Sequence, residues 1–144
     1  MELGLKGRVA VITGGSKGIG RAIGRALAAE GVDLMLLARG KEQLDETADD
    51  IRKEFAVRVG TVAADVTISD SVNAAAEATK AEFPAVHIIV NNAGGPIRRM
   101  DRQIMWPDTD WVDDVNLKTM GMLRMIQAFL PPLKRGAHAD RQFQ

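Results

Sequence analysis

The stretch from Val9 to Glu30, VAVITGGSKGIGRAIGRALAAE, limits what this chain can become more than any other. An apolar run (Val9, Ala10, Val11, Ile12) stops at Thr13, and a turn dense in glycine follows, with Gly14, Gly15, Gly18 and Gly20. Apolar residues then return at Ile19, Ala22, Ile23, Ala26 and Leu27, the spacing of one helix face. A strand, a glycine turn and a helix in succession cradle a phosphate. Glycine lets the backbone turn tightly and approach a ligand, and the first helical turn offers unpaired N–H groups to an anion. Taken alone, the same pattern also suits a tight turn between packed elements; its place in the chain decides for a nucleotide site.

That place is the first crossover of an alternating chain. Asp33–Ala38 (DLMLLA) reads as a second buried strand, closed by Arg39-Gly40. Lys41 to Phe55 carries apolar residues at Leu44, Ala48, Ile51 and Phe55 and predicts an amphipathic helix. Val57 to Ala63 is a third strand, followed by Ala64-Asp65-Val66. Ser69, as a cap, opens a helix reaching to about Phe83, with Pro84 beyond its end. Val86 to Val90 is a fourth strand, running into Asn91-Asn92-Ala93-Gly94-Gly95-Pro96. Ile97 to Asp108 reads as a loop. From about Asp110 to Leu130 a long helix is apolar on most faces, so it needs partners on more than one side. Pro131-Pro132 is expected to end it, leaving an irregular tail over 135–144 after a single domain over 1–134.

Strands alternating with helices imply parallel pairing, and strands that are continuous apolar runs imply a sheet covered on both faces. The expected fold class on this pattern is α/β: a parallel sheet of about four strands with helices on both faces.

Bulk properties exclude several classes of function. Nineteen basic and nineteen acidic side chains give zero formal net charge, so no global field favours nucleic acid or an anionic membrane. There is no cysteine, which removes disulfides, thiol catalysis and thiolate metal sites. His87, inside an apolar strand, reads as a satisfied core histidine, and His138 falls in the polar tail; neither has the companions a metal site requires. No signal peptide and no membrane span are expected, and a cytoplasmic location is the default.

Four motifs together resemble the short-chain dehydrogenase/reductase family. Thr13-Gly14-Gly15-Ser16-Lys17-Gly18-Ile19-Gly20 is similar to its cofactor loop, Asn91-Asn92-Ala93-Gly94 to its second signature, and Asp65-Val66 to its adenine-contacting pair. Asn116, in DDVNLK, resembles the asparagine of its catalytic tetrad. The resemblance covers roughly Leu5 to Lys134. It implies a Rossmann-type doubly wound parallel sheet, incomplete here, with about four strands in the order 3-2-1-4. It also implies hydride transfer between a nicotinamide cofactor and a small carbonyl or alcohol substrate, and a homo-oligomer for a complete enzyme. The glycine loop, Arg39, Asp65 and the Asn91 segment all follow strand ends, where a doubly wound sheet binds its ligand. Ala93 and Gly94 are small enough for backbone to approach a ribose. For Asn91, cofactor approach and a structural tie from the fourth strand to Thr13 both stand open.

An NAD site usually has a carboxylate at the end of the second strand. Here Ala38-Arg39 stands there, with no Asp or Glu between Leu34 and Lys41, and Lys17 adds a second cation. Two cations and no carboxylate favour NADP(H) over NAD(H), since a 2′-phosphate attracts Arg and Lys.

The chain contains no tyrosine. The resembled family uses a tyrosine as general acid/base, with a lysine and a serine, so of the tetrad only Asn116 is expected here. Ser16, Ser69 and Ser71 do not follow a fifth strand. The chain reads as a truncated or frameshifted reductase, inactive alone: shifting the reading frame by one base over the tail permits codons for Arg-Ile-Val-Asn-Phe-Ser. The alternative is a non-catalytic dinucleotide-sensing module. A purely structural protein leaves the glycine loop unexplained.

Overall fold

Val9–Thr13 (β1) is buried along its whole length, because its side chains are divided between two cores. The structure, a computed structural model, describes residues 3–95 and 105–141. In chain order the elements are β1, α1 (Gly18–Ala29), β2 (Asp33–Ala38), α2 (Lys41–Glu54), β3 (Val59–Ala63), α3 (Ser69–Glu82), β4 (Ile88–Val90), α4 (Asp108–Val115), a π turn (Asn116–Met120) and α5 (Gly121–Arg141). The strands form one parallel sheet in the order β3-β2-β1-β4. This is the expected doubly wound order.

Alternation along the strands sorts the side chains between faces. Ala10, Ile12, Leu34 and Leu36 pack with Leu44, Ala48 and Ile51 beneath α1 and α2. Val9, Val11, Met35 and Leu37 pack on the other face with Val72, Ala75 and Ala76 of α3 and Met125 and Phe129 of α5. Hence β2 reads as an unbroken apolar run rather than an alternating one. Gly24 lets α1 lie close to the sheet: a Cβ there would already touch Ile12, Leu34 and Ile51 at 3.6 Å.

Four expectations are corrected. The helix over Ser69–Glu82 is capped by Ile68 without a side-chain bond; the Ser69 hydroxyl instead accepts from Arg124 Nε at 3.2 Å. β4 begins at Ile88 rather than Val86, because the Val86 N–H donates to the Pro132 carbonyl at 3.1 Å. Helix α5 runs through Pro131 and Pro132 to Arg141, so they do not end it. The segment from 135 to 141 is therefore helical, and the expected irregular tail begins no earlier than 142, outside the described residues.

Proline inside a helix forfeits an N–H and costs about 3 kcal/mol or more. Tertiary contacts on both sides of the pair oppose that cost. Phe129 is fully buried, Leu133 packs on the same core, and Arg135 Nε donates to the Pro84 carbonyl at 2.6 Å. Gly136 lies so close to the Val86 carbonyl that any Cβ would collide with it.

The long helix expected from Asp110 starts two residues earlier, at Asp108, and is buried on one face only. Met125 and Phe129 are fully enclosed, whereas Val112, Val115, Leu123, Ile126 and Leu130 are exposed. The loop expected over Ile97–Asp108 lies mostly outside the described residues. Among the described residues no helix is long and apolar enough to cross a membrane.

Phe129→Ala is expected to lower the stability of the chain by about 3–5 kcal/mol, the usual cost of an emptied aromatic core site. Leu130→Ala, one residue on but exposed, is expected to change it by no more than about 0.5 kcal/mol. Urea unfolding followed by circular dichroism measures both, and equal effects would contradict this packing of α5.

Candidate functional site

The segments that follow the four strands lie at one edge of the sheet, since all four strands point the same way. The loop after β1 is held from three sides. Gly15 N donates to Leu37 O of β2 at 3.1 Å, and the buried Thr47 hydroxyl of α2 donates to Ser16 O at 2.8 Å. From the β4 side, Asn92 Nδ2 donates to Thr13 O at 3.1 Å and to Gly14 O at 3.3 Å. Thr13 is the joint between β1 and β4. Its hydroxyl donates to Val90 O at 3.3 Å and accepts from the N–H groups of Asn92 at 3.0 Å and Ala93 at 2.9 Å.

Of the two readings left open for Asn91, the structural tie falls to its neighbour. Asn92, not Asn91, ties the fourth strand to Thr13, while Asn91 lines a shallow cleft with Thr13, Val66, Ala93, Leu117, Gly121 and Met122. The two asparagines differ by one residue, which reverses the side a chain faces on leaving a strand.

The glycines are required by geometry. Gly14 has φ +68° and Gly18 φ +53°, backbone that other residues adopt only at a cost. A Cβ on Gly20 would overlap the Gly14 carbonyl and stand 2.6 Å from Asn92 Nδ2. Helix α1 can start against the strand end only because both residues lack one. The N-cap, Lys17, makes no side-chain cap bond, so the first-turn N–H groups of Gly18, Ile19 and Gly20 have no side-chain acceptor there. Lys17, Ile19 and Gly94 are exposed beside them, and Arg39 is exposed after β2.

After β3, the Asp65 carboxylate closes a turn on Thr67, accepting its N–H at 2.9 Å and its hydroxyl at 2.6 Å through Oδ1. The Thr67 hydroxyl, then its N–H, hold the Asp65 carboxyl below its ordinary value against a smaller opposing effect of burial, with Arg39 adding attraction. Asp65 is thus a turn-closing residue, and its second oxygen, Oδ2, takes no part in that turn.

Asn116 opens the π turn. Its side-chain Oδ1 accepts from Arg124 Nη2 at 2.7 Å, and Arg124 also reaches Val66 O at 3.2 Å. Sequence reasoning missed Arg124, Gly121, Thr47 and Asn92 as site-building residues. For Arg124 there was a signal: it is the one charge in the run from Met120 to Leu130. His87 accepts the Val9 N–H at Nδ1 (3.0 Å), and its own backbone N–H donates to Val9 O at 2.9 Å, so it joins β4 to β1. Among the described residues no three His, Asp or Glu side chains are grouped to hold a metal.

The family model described as short chain dehydrogenase matches residues 8–140. An uncharacterised oxidoreductase of Staphylococcus epidermidis is 34% identical over 129 residues, spanning 90% of this chain and 54% of that protein. The L-sorbose reductase of Gluconobacter frateurii, solved with NADPH and L-sorbose, superposes with a TM-score of 0.87 at 36% identity, covering 94% of this chain and 51% of that one. An alcohol dehydrogenase of the archaeon Thermococcus sibiricus, solved with 5-hydroxy-NADP, superposes with a TM-score of 0.81 at 35% identity, covering 90% and 54%. The chain spans about half the length of these relatives.

Two outcomes follow from the geometry. Thr13→Val strands the Asn92 and Ala93 N–H groups and is expected to cost about 1–3 kcal/mol per buried donor left unpaired, less where water reaches it; thermal unfolding measures it. Because the Asp65 carboxyl titrates lower in the folded chain than in the unfolded one, its stabilisation is fully present above the ordinary value of 3.8. That stabilisation is lost as pH falls through the folded value. Asp65→Asn, which keeps an acceptor for Thr67, is expected to make acid unfolding below about pH 4 less steep; an unchanged slope would contradict the turn as described.

Proposed function

We propose a function from one premise: the chain belongs to the short chain dehydrogenase family. It carries the dinucleotide-binding half of an oxidoreductase that moves a hydride between NADP(H) and the carbonyl or alcohol carbon of a small substrate. The observation that supports this best is the glycine loop. The Gly14–Gly20 approach leaves no room for a Cβ, yet around Gly18 a Cβ would meet nothing within 4 Å. Backbone is packed tightly on the protein side and open on the other, which suits a diphosphate.

In this reading Gly14, Ser16, Gly18, Ile19 and Gly20 hold the diphosphate with backbone N–H groups and the positive end of α1. Lys17 and Arg39 bind the 2′-phosphate. Asp65 and Val66 border the adenine, with the turn on Thr67 keeping the aspartate ionised. Thr13, Asn91, Ala93 and Gly94 line the ribose on the nicotinamide side. The cofactor, when bound, supplies the hydride. Several solved neighbours were crystallised with NADPH or NADP, which agrees with the cation pair.

Asn116 is the tetrad member this chain contains. With no tyrosine among its 144 residues, the chain alone lacks the family's general acid/base, a contribution of roughly 10²–10⁴-fold. We therefore infer that it binds cofactor without turnover. The exposed apolar side of α4–α5 is the surface proposed for subunit contact in a complete enzyme, and cytoplasmic residence is proposed with it. An Asn116 held at a π turn supports an enzyme lineage over a sensing module.

Trp106 and Trp111, whose rings stand 5.1 Å apart, report binding by fluorescence. Arg39→Ala is expected to weaken NADPH binding about 10–100-fold, the worth of a charge-assisted contact of about 1.5–3 kcal/mol. NADH binding should change by no more than about fivefold. Equal losses for both would refute the NADP(H) preference, and no binding of either by the wild-type chain would refute the cofactor site.

A further inference from the structure

Arg124 is used at all three of its guanidinium nitrogens, and every partner lies in one of two places. Nε donates to the Ser69 hydroxyl at 3.2 Å and Nη1 to the Val66 carbonyl at 3.2 Å, the first residue of α3 and the segment that leads to it from β3. Nη2 donates to Asn116 Oδ1 at 2.7 Å, and Nη1 also reaches the Asn116 carbonyl at 3.3 Å. That carbonyl already accepts from the Gly121 N–H in the π turn. Gly121 itself lies against Val66, where a Cβ would stand 3.0 Å from Val66 Cγ2. Glycine contact and guanidinium fork together join the β3–α3 segment to the π turn with no slack.

We propose that Arg124 is a positioning residue that sets the Asn116 side chain and couples it to the Asp65–Val66 segment; this rests on the cofactor reading above. The chemistry is one-sided. A guanidinium has only donors, so the amide end facing it must be the oxygen. Asn116 is thereby oriented with its Nδ2 hydrogens available as donors away from Arg124, the polarity needed to donate to a water or a substrate oxygen. A ligand that presses on Val66 shifts a carbonyl that shares Nη1 with Asn116. The adenine end of the site is in this way felt at the residue nearest the chemistry.

The test uses the full chain, adenosine 2′,5′-bisphosphate as a probe of the adenine end alone, and the side-chain amide resonances of Asn116 in a ¹⁵N–¹H spectrum, assigned with Asn116→Ser. In the wild type those resonances are expected to move as the bisphosphate is added and to saturate with the binding curve. In Arg124→Met the bisphosphate should still bind within about threefold, since Arg39 and Asp65 are untouched, while the Asn116 resonances no longer follow it. Arg124→Lys should restore the response in part, having donors but no planar fork. Ser69→Ala, the milder change, removes one partner and should reduce the response if Arg124→Met does not fold. Asn116 resonances that ignore the ligand in the wild type, or follow it equally in Arg124→Met, would overturn the coupling. An Asn116 amide unchanged between the ligand-free wild type and Arg124→Met would overturn the positioning role even if no bisphosphate binds; absent binding would, separately, sink the cofactor reading.

Discussion

The hydroxyl of Thr13 is the smallest group on which the arrangement depends. It donates one hydrogen bond to the Val90 carbonyl and accepts two, from the N–H groups of Asn92 and Ala93, at the place where β1 and β4 leave the sheet. Parallel strands end in carbonyls and amides that the ladder no longer pairs, and unpaired buried groups are costly. Thr13 and Asn92 satisfy several of them at once, and in doing so they fix the height of the β4 segment above the glycine loop. Gly14 and Gly20 then touch backbone to backbone because Asn92 Nδ2 already occupies the space a side chain would need. The start of α1, the site's most specific feature, is thus placed by a bond network formed with the far strand.

A second dependence runs along α5. The sheet face bearing Val9, Val11, Met35 and Leu37 is roofed by α3 and by Met125 and Phe129. α5 therefore completes a core and, through Gly121 and Arg124, also carries Asn116 to the β3–α3 segment. The π turn suits this double task. It adds a residue to the helical repeat and so rotates the faces of α4 relative to those of α5. Met125 and Phe129 face the core after the turn, while Trp111, Val112 and Val115 before it remain exposed.

Much of this was legible in the residues. The β2 strand at Asp33–Ala38 and the first and third turns of the alternating chain follow from apolar runs broken by glycine and charge, signals that act over a few residues. The strand order followed from the family resemblance and the alternation together. Asn92 against Asn91 was not legible, because apolar spacing does not say which of two adjacent asparagines turns toward Thr13. Nor was the start of β4 at Ile88, which is set by the diversion of the Val86 N–H to Pro132, some forty-six residues away in the chain. Ser69 is similar: its hydroxyl suits a cap, but a guanidinium from α5 claims it.

The proline pair marks the division most clearly. By itself the sequence determined an α/β chain with a glycine cradle after its first strand, since sterics at Gly14 and apolar spacing along α1 need no distant partner. It also determined that two prolines would weaken the helix at 131 and 132. Whether the helix stops there depends on energies outside it: the burial of Phe129, the Arg135 bond to Pro84 and the close seat of Gly136 on Val86. A proline inside a helix costs about 3 kcal/mol or more, and several buried contacts together offset that. The pairing of Arg124 with Asn116 and Val66 was likewise decided only by the tertiary structure, because hydrogen-bond partners fifty-eight residues apart meet only once the sheet has set the spacing between β3 and α5.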